Sequence, residues 1–69
     1  MTRIILQDNK SVHIDGYKRI LNYDKESIKL LCSKKIIEIY GNNLNVIYFT
    51  SIQIEIEGMI DGVKWLEKE

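Results

Sequence analysis

The chain has no proline, one cysteine and one histidine among its 69 residues. With no proline and no low-complexity tract, nothing in it reads as a linker, so residues 1–69 are expected to form one domain. Cys32 has no second cysteine to pair with, which excludes an intrachain disulfide. A lone cysteine and a lone histidine, Cys32 and His13, also leave no cysteine-built metal site. An unpaired thiol suits a reducing cytoplasm. Excess charge of one sign is missing too, because ten basic and ten acidic residues cancel. The chain therefore lacks the positive field of a generic nucleic-acid binder. It also lacks the block of like charge that marks an interaction tail. No apolar run approaches the roughly 20 residues of a membrane helix, and the apolar stretch near Met1 is too short for a signal peptide. A soluble, cytoplasmic protein is the expectation. A domain this small buries only about 60% of the surface its unfolded chain exposes. Such chains often need a staple. With disulfides and metal set aside, oligomerisation or a larger complex remains.

What the chain has in abundance is short runs of β-branched and aromatic residues separated by turn residues, the signature of strands. Arg3–Gln7 is the first, ended by the turn composition Asp8-Asn9-Lys10. Val12 and Ile14 alternate with His13 and Asp15, and Gly16 marks a bend or bulge. Tyr17–Tyr23 is the third, with Asp24–Ser27 as its turn. Ile28, Leu30 and Cys32 then share a face before the turn Ser33-Lys34. Lys35–Tyr40 and Leu44–Phe49 read as two strands of a hairpin, with Gly41-Asn42-Asn43 supplying the positive-φ residues of its turn. Ile52, Ile54 and Ile56 fall on one face at period two, opposite Gln53, Glu55 and Glu57. Ile60 keeps their register, but Val63 and Trp65 sit on the other parity. One extra residue near Asp61-Gly62, a β-bulge, restores them. The competing reading is a short helix from Asp61 to Glu69, which Gly62 disfavours. The sum is an all-β fold: a small antiparallel sandwich or curled meander of about 7–8 short strands, since short connections exclude parallel pairing.

Few residues invite a chemical reading. His13 and Asp15 share a polar strand face and could poise a proton acceptor, yet no serine or cysteine is placed as a nucleophile, and a solvated face explains the pair. Glu55 and Glu57, about 7 Å apart on one face beside Gln53, could bind a cation or act as an acid/base pair. A solvated face that discourages edge pairing explains them equally. Cys32, on an apolar face, reads as a buried inert thiol. Gly41-Asn42-Asn43 lacks the Gly-Lys-Ser/Thr ending of a phosphate loop. Lys29, Lys34 and Lys35, with Tyr40, Tyr48 and Phe49 on following strands, form the mixture that a small nucleic-acid-binding barrel of OB or Sm type uses. Core packing with surface lysines accounts for it as well. No catalytic, cofactor or metal residue is assigned, and no small-molecule substrate or nucleic acid is expected.

Surplus apolar residues carry more information. Ile36 and Ile37, and Val46 through Phe49, put apolar side chains on both faces of their strands. In a two-layer domain the second face needs a cover. A second copy of the chain is the simplest, since most soluble oligomers are symmetric. Ile36, Tyr40, Ile47 and Phe49 are the candidate dimer or partner surface.

Three stretches also resemble the YabP/YqfC family of endospore-formation proteins, the YqfC side in particular. They are Val12-His13-Ile14-Asp15-Gly16-Tyr17-Lys18-Arg19-Ile20-Leu21-Asn22-Tyr23, Ile37-Glu38-Ile39-Tyr40-Gly41-Asn42-Asn43-Leu44, and Ile54-Glu55-Ile56-Glu57-Gly58-Met59-Ile60-Asp61-Gly62-Val63-Lys64-Trp65. The second resembles the family's I-x-I-x-G-[KN]-N-L element and the third its I-x-I-x-G-x-I-x-x-[IV]-x-[FW] ending. The resemblance runs from about Arg3 to Trp65, nearly the whole chain. The chain begins almost at its first strand, where YqfC-like proteins usually carry a longer N-terminal segment, and Asn42 stands where lysine is common. The resemblance implies a non-enzymatic role in spore formation, in the mother cell, as a dimerising β-sandwich partnered by a membrane protein. It brings no catalytic or cofactor residues with it.

Overall fold

Six strands form in a computed structural model that describes residues 2–67. They are β1 (Arg3–Gln7), β2 (Ser11–Asp15), β3 (Tyr17–Tyr23), β4 (Ser27–Cys32), β5 (Lys35–Phe49) and β6 (Gln53–Glu67). All pairings are antiparallel, in the single sheet order β1-β2-β6-β5-β4-β3. This sheet does not lie flat. A straight strand of 15 residues would run about 50 Å, but the domain measures only 27 × 22 × 18 Å. Moreover, β2 and β3 lie four places apart in the order, yet Gly16 alone joins them in the chain. Both facts require the sheet to fold over on itself. In the first layer β1 and β2 lie beside the start of β6 and the end of β5. In the second, the end of β6 and the start of β5 lie beside β4 and β3. Only β5 and β6 run through both layers, and Gly16, at φ 91°, turns the chain from β2 in one to β3 in the other.

The bend of β5 and β6 is built from bulges. Tyr40 pairs with Gly62 but Gly41 pairs with Ile60, so Asp61 is the extra residue on β6. That is the predicted bulge at Asp61-Gly62. It keeps Val63 opposite the buried Ile39, and the alternative of a helix from Asp61 is overturned, because β6 runs on to Glu67. Residues 68–69 lie outside the described part. On β5, Asn42 pairs with Met59 and Asn45 with Glu57, so the extra residue there falls at Asn43-Leu44. Asn43 takes φ 54°, the left-handed region that asparagine tolerates better than most residues.

The expected hairpin turn at Gly41-Asn42-Asn43 does not form. The positive φ is present, but it serves a bulge. The reason is that β6 accompanies β5 along its whole length, so β5 bends with its neighbour instead of reversing. The expected eight or so strands are therefore six, the two longest each passing through both layers.

Backbone groups freed by the bulges find partners in two flanking turns. On one side Gly58 N–H donates to the Lys10 carbonyl (3.0 Å) and Ile60 N–H to that of Asn9 (2.9 Å). On the other, Gly41 N–H donates to the Glu26 carbonyl (3.0 Å) and Leu44 N–H to that of Lys25 (2.9 Å). Each turn has its own local support. Asp8 and Asn9 both take φ 53°, and Asp24 Oδ1 accepts the N–H groups of Glu26 (2.8 Å) and Ser27 (2.9 Å). The bend leaves no room for side chains between its strands. A Cβ on Gly41 would collide with the Met59 carbonyl oxygen, and one on Gly58 would lie 2.6 Å from that of Asn43.

Between the layers lies one core: Val12, Ile14, Tyr17, Ile28, Leu30, Cys32, Ile37, Ile39, Leu44, Ile54, Ile56 and Ile60. It follows the alternation read from the sequence, with one correction. Ile52 does not continue the face of Ile54 and Ile56; it is 60% exposed. Thr50 stops the period, because its Oγ1 accepts the N–H groups of both Ile52 (3.2 Å) and Gln53 (3.0 Å). Ile52 is thereby held in the β5–β6 turn, and β6 begins only at Gln53.

Candidate functional site

Outward from the first layer, a row of paired residues runs Ile5, His13, Glu55, Tyr48 across β1, β2, β6 and β5. His13 is held on both sides. Its Nε2 lies 2.9 Å from Asp15 Oδ1 and its Nδ1 lies 3.3 Å from Glu55 Oε1. Carboxylates only accept hydrogen bonds, so the ring satisfies both neighbours only with a proton on each nitrogen. The Asp15 bond first, then the Glu55 bond, hold the His13 pKa above its usual 6.5 against a small opposing effect of burial. With both nitrogens engaged, neither is free to take a proton from a nucleophile. Ser11, on the same face of β2, pairs across to Glu57, not to His13. The cluster therefore stores charge and ties β2 to β6.

Its pH dependence has a definite sign. A pKa raised by folding stabilises the native state below about pH 6.5, and that contribution is lost as pH rises through the raised value. Wild type should therefore exceed His13→Gln in urea stability near pH 5 by a few tenths to about 1 kcal/mol, the range of exposed pairs. The difference should vanish at alkaline pH. A difference that stays flat across the range would contradict this.

The outward face of the second layer carries a different network. Ser27 Oγ–H donates to Glu38 Oε2 (2.9 Å), and Lys64 Nζ lies 3.5 Å from Glu38 Oε1. The Ser27 bond and the nearby Lys64 and Lys29 ammonium groups lower the Glu38 pKa. Lys64 also lies 5.4 Å from the centre of the Tyr40 ring, which covers Gly62. Tyr40 is thus engaged on its own face. Ile36, on the same face, is half-buried between its pairing partners Leu31 and Leu66.

Ile47 and Phe49 lie elsewhere. Ile47 is the extra residue of the third bulge in the β5–β6 pairing, between the pairs Val46–Ile56 and Tyr48–Glu55. Phe49, 65% exposed, ends the strand opposite Ile54, and Ile52 lies in the turn between them. The four residues expected to form one surface are therefore split: Ile36 and Tyr40 on the second layer, Ile47 and Phe49 at the hairpin end of the first. The exposed apolar group at that end is Ile47, Tyr48, Phe49 and Ile52. Tyr17 and Tyr23 of β3 anchor it. Tyr17 O–H donates to the Thr50 carbonyl (2.6 Å), and the Tyr23 hydroxyl accepts Val46 N–H (3.2 Å).

The remaining candidates separate. Cys32 is buried and its thiol pKa is pushed up by desolvation, against a hydrogen bond with Thr2. Lys35 lies at the start of β5, directly after Lys34, while Tyr48 and Phe49 lie at its end; only Lys29 shares a face with one of the aromatic residues, Tyr40. Glu57 is exposed and pairs with Ser11, apart from the Glu55–His13 contact. Among the described residues no group of three or more His, Cys, Asp and Glu is arranged to hold a metal ion. No helix is long and apolar enough to cross a membrane. Pairing of His13 with Glu55 was hidden in the sequence, since it needs the β2–β6 register; only their shared polar parity hinted at it.

Two quoted sequence elements meet at the bend. Gly41, Asn43 and Leu44 of the second stretch and Gly58 and Ile60 of the third are the residues that form it. No curated protein matches the chain. The YabP family model matches residues 1–69, the whole chain. The chain belongs to the YabP family, a membership that connects it with sporulation.

Proposed function

We propose that the protein is a non-enzymatic assembly component of endospore formation, a homodimer acting in the mother cell with a membrane-associated partner. The observation that carries this is the exposed apolar hairpin end of the first layer, Ile47, Tyr48, Phe49 and Ile52. Aromatic and branched side chains exposed together at one end of a domain, here on both faces of the sheet, mark a contact region for another macromolecule. The same residues would be a liability for a protein that worked alone. His13, the one group suited to proton transfer near neutral pH, has both nitrogens occupied by carboxylates, which supports a role without catalysis. Deleting the gene from a sporulating host and counting heat-resistant spores tests the role. A marked fall in spore yield is expected, and an unchanged yield overturns the proposal.

A further inference from the structure

Among the described residues the folded-over sheet leaves four free strand edges, and they are not equivalent. β3 carries two register shifts along its pairing with β4 and bears Lys18 and Arg19. The end of β5 is bulged at Ile47, and the Tyr23 hydroxyl already takes its Val46 N–H. The end of β6 follows the Asp61 bulge and carries Lys64. Bulges, lysines and capped backbone groups are the devices that keep strand edges from pairing. β1 has none of them. Its five residues pair with β2 without a register shift, and its sequence, Arg3-Ile4-Ile5-Leu6-Gln7, holds no lysine, glycine or proline. Ile5 is 44% and Leu6 45% exposed, although Ile5 stands on the outward face and Leu6, paired with buried Val12, on the core side. Its one charge, Arg3, stands at the first position, and an edge that is otherwise apolar on both faces and regular is a template for another strand.

The sequence of β1 is also complementary to itself. Set antiparallel about a two-fold axis through Ile5, it places Ile5 opposite its own copy, Ile4 opposite Leu6, and Arg3 opposite Gln7. No like charges face each other, and each apolar residue meets an apolar one on the same side. Such a two-fold, self-complementary contact is what a closed dimer requires. We infer that β1 is the homodimer interface, joining the first layers of two copies edge to edge into one continuous eight-stranded layer. The hairpin end stays free for the membrane-associated partner. This rests on the dimer reading above and deepens it.

The test is the molar mass of the full chain at roughly 100 μM, a concentration that populates a dimer with a Kd of about 10 μM. Wild type should give twice its 8.1 kDa. Ile5→Lys and Ile5→Glu, each alone, should give the monomer mass, since like charges directly opposite across paired strands repel. Both should keep cooperative unfolding, because Ile5 lies on an outward face. Mixing the two variants should restore the dimer mass. A wild-type monomer overturns both the dimer reading and this interface. A wild-type dimer that survives Ile5→Lys overturns the interface alone and leaves the dimer reading standing. Single variants that dissociate but fail to recombine on mixing overturn the pairing of Ile5 with its own copy.

Discussion

Replacing Gly41 with alanine should remove most of the protein's stability. The added Cβ would run into the Met59 carbonyl oxygen and lie 3.0 Å from the Asp61 backbone nitrogen. Both obstacles are backbone, held by ladder bonds on either side, so neither can swing away. Overpacking against movable side chains costs about 1–3 kcal/mol and more where nothing gives; here about 3 kcal/mol or more is expected. A domain of this size holds only about 3–5 kcal/mol in its core. Gly62→Ala supplies the control. Its Cβ meets the Tyr40 hydroxyl and ring, with Cζ at 2.6 Å, but a half-exposed tyrosine can turn aside, and about 1 kcal/mol is expected. Thermal unfolding followed by circular dichroism separates them, at about 4–8 °C per kcal/mol for so small a domain. Equal midpoints for the two variants would contradict the bend as described.

Ile56→Ala and Ile52→Ala should differ even more plainly, although the sequence makes them look alike. Ile56 is fully buried between the layers. Its truncation leaves a cavity, costing about 2–5 kcal/mol, which is comparable with the whole stability of the domain. Ile52 projects from the turn, and its truncation should cost less than about 0.5 kcal/mol. Urea midpoints of the two variants check this. A large loss at Ile52 would mean that the β5–β6 turn packs against the core, contrary to its 60% exposure.

Alternation along the strands was legible because it follows directly from the two faces of a sheet. Val12 and Ile14, Ile28, Leu30 and Cys32, and Ile37 and Ile39 all went to the core as their period demanded. The Asp61-Gly62 bulge was legible for the same reason, since Val63 and Trp65 broke the parity, an inserted residue would mend it, and Gly62 disfavoured the competing helix. Gly41-Asn42-Asn43 misled because turn composition and bulge composition are chemically the same. Both need positive φ and small side chains, and only the course of β6 alongside β5 decides between them. Ile52 misled because Thr50, two residues earlier, captured its N–H; period-two reasoning cannot see a side chain competing for the backbone. Of the candidate surface residues, Ile47 and Phe49 are exposed at the end of the first layer, whereas Ile36 and Tyr40 lie on the second layer beside neighbours that only the register reveals: Leu31, Leu66, Gly62 and Lys64.

The bend also gives physical meaning to the family elements. Glycine at 41 and 58 is set by two backbones passing too close for a Cβ, and Asn43 by a left-handed bulge position. Leu44 is buried directly after that bulge. These residues shape the fold, and that alone accounts for their place in the stretches that resemble the family.

Complementation of a deletion strain puts assembly against catalysis most directly. Spore yield should be restored by a gene encoding His13→Gln, which removes the one candidate proton acceptor. It should not be restored by one encoding Phe49→Ser with Ile52→Ser, whose side chains are exposed and whose loss should leave the fold intact. Restored spores with the double variant and none with His13→Gln would contradict a role in assembly and place the function at the histidine.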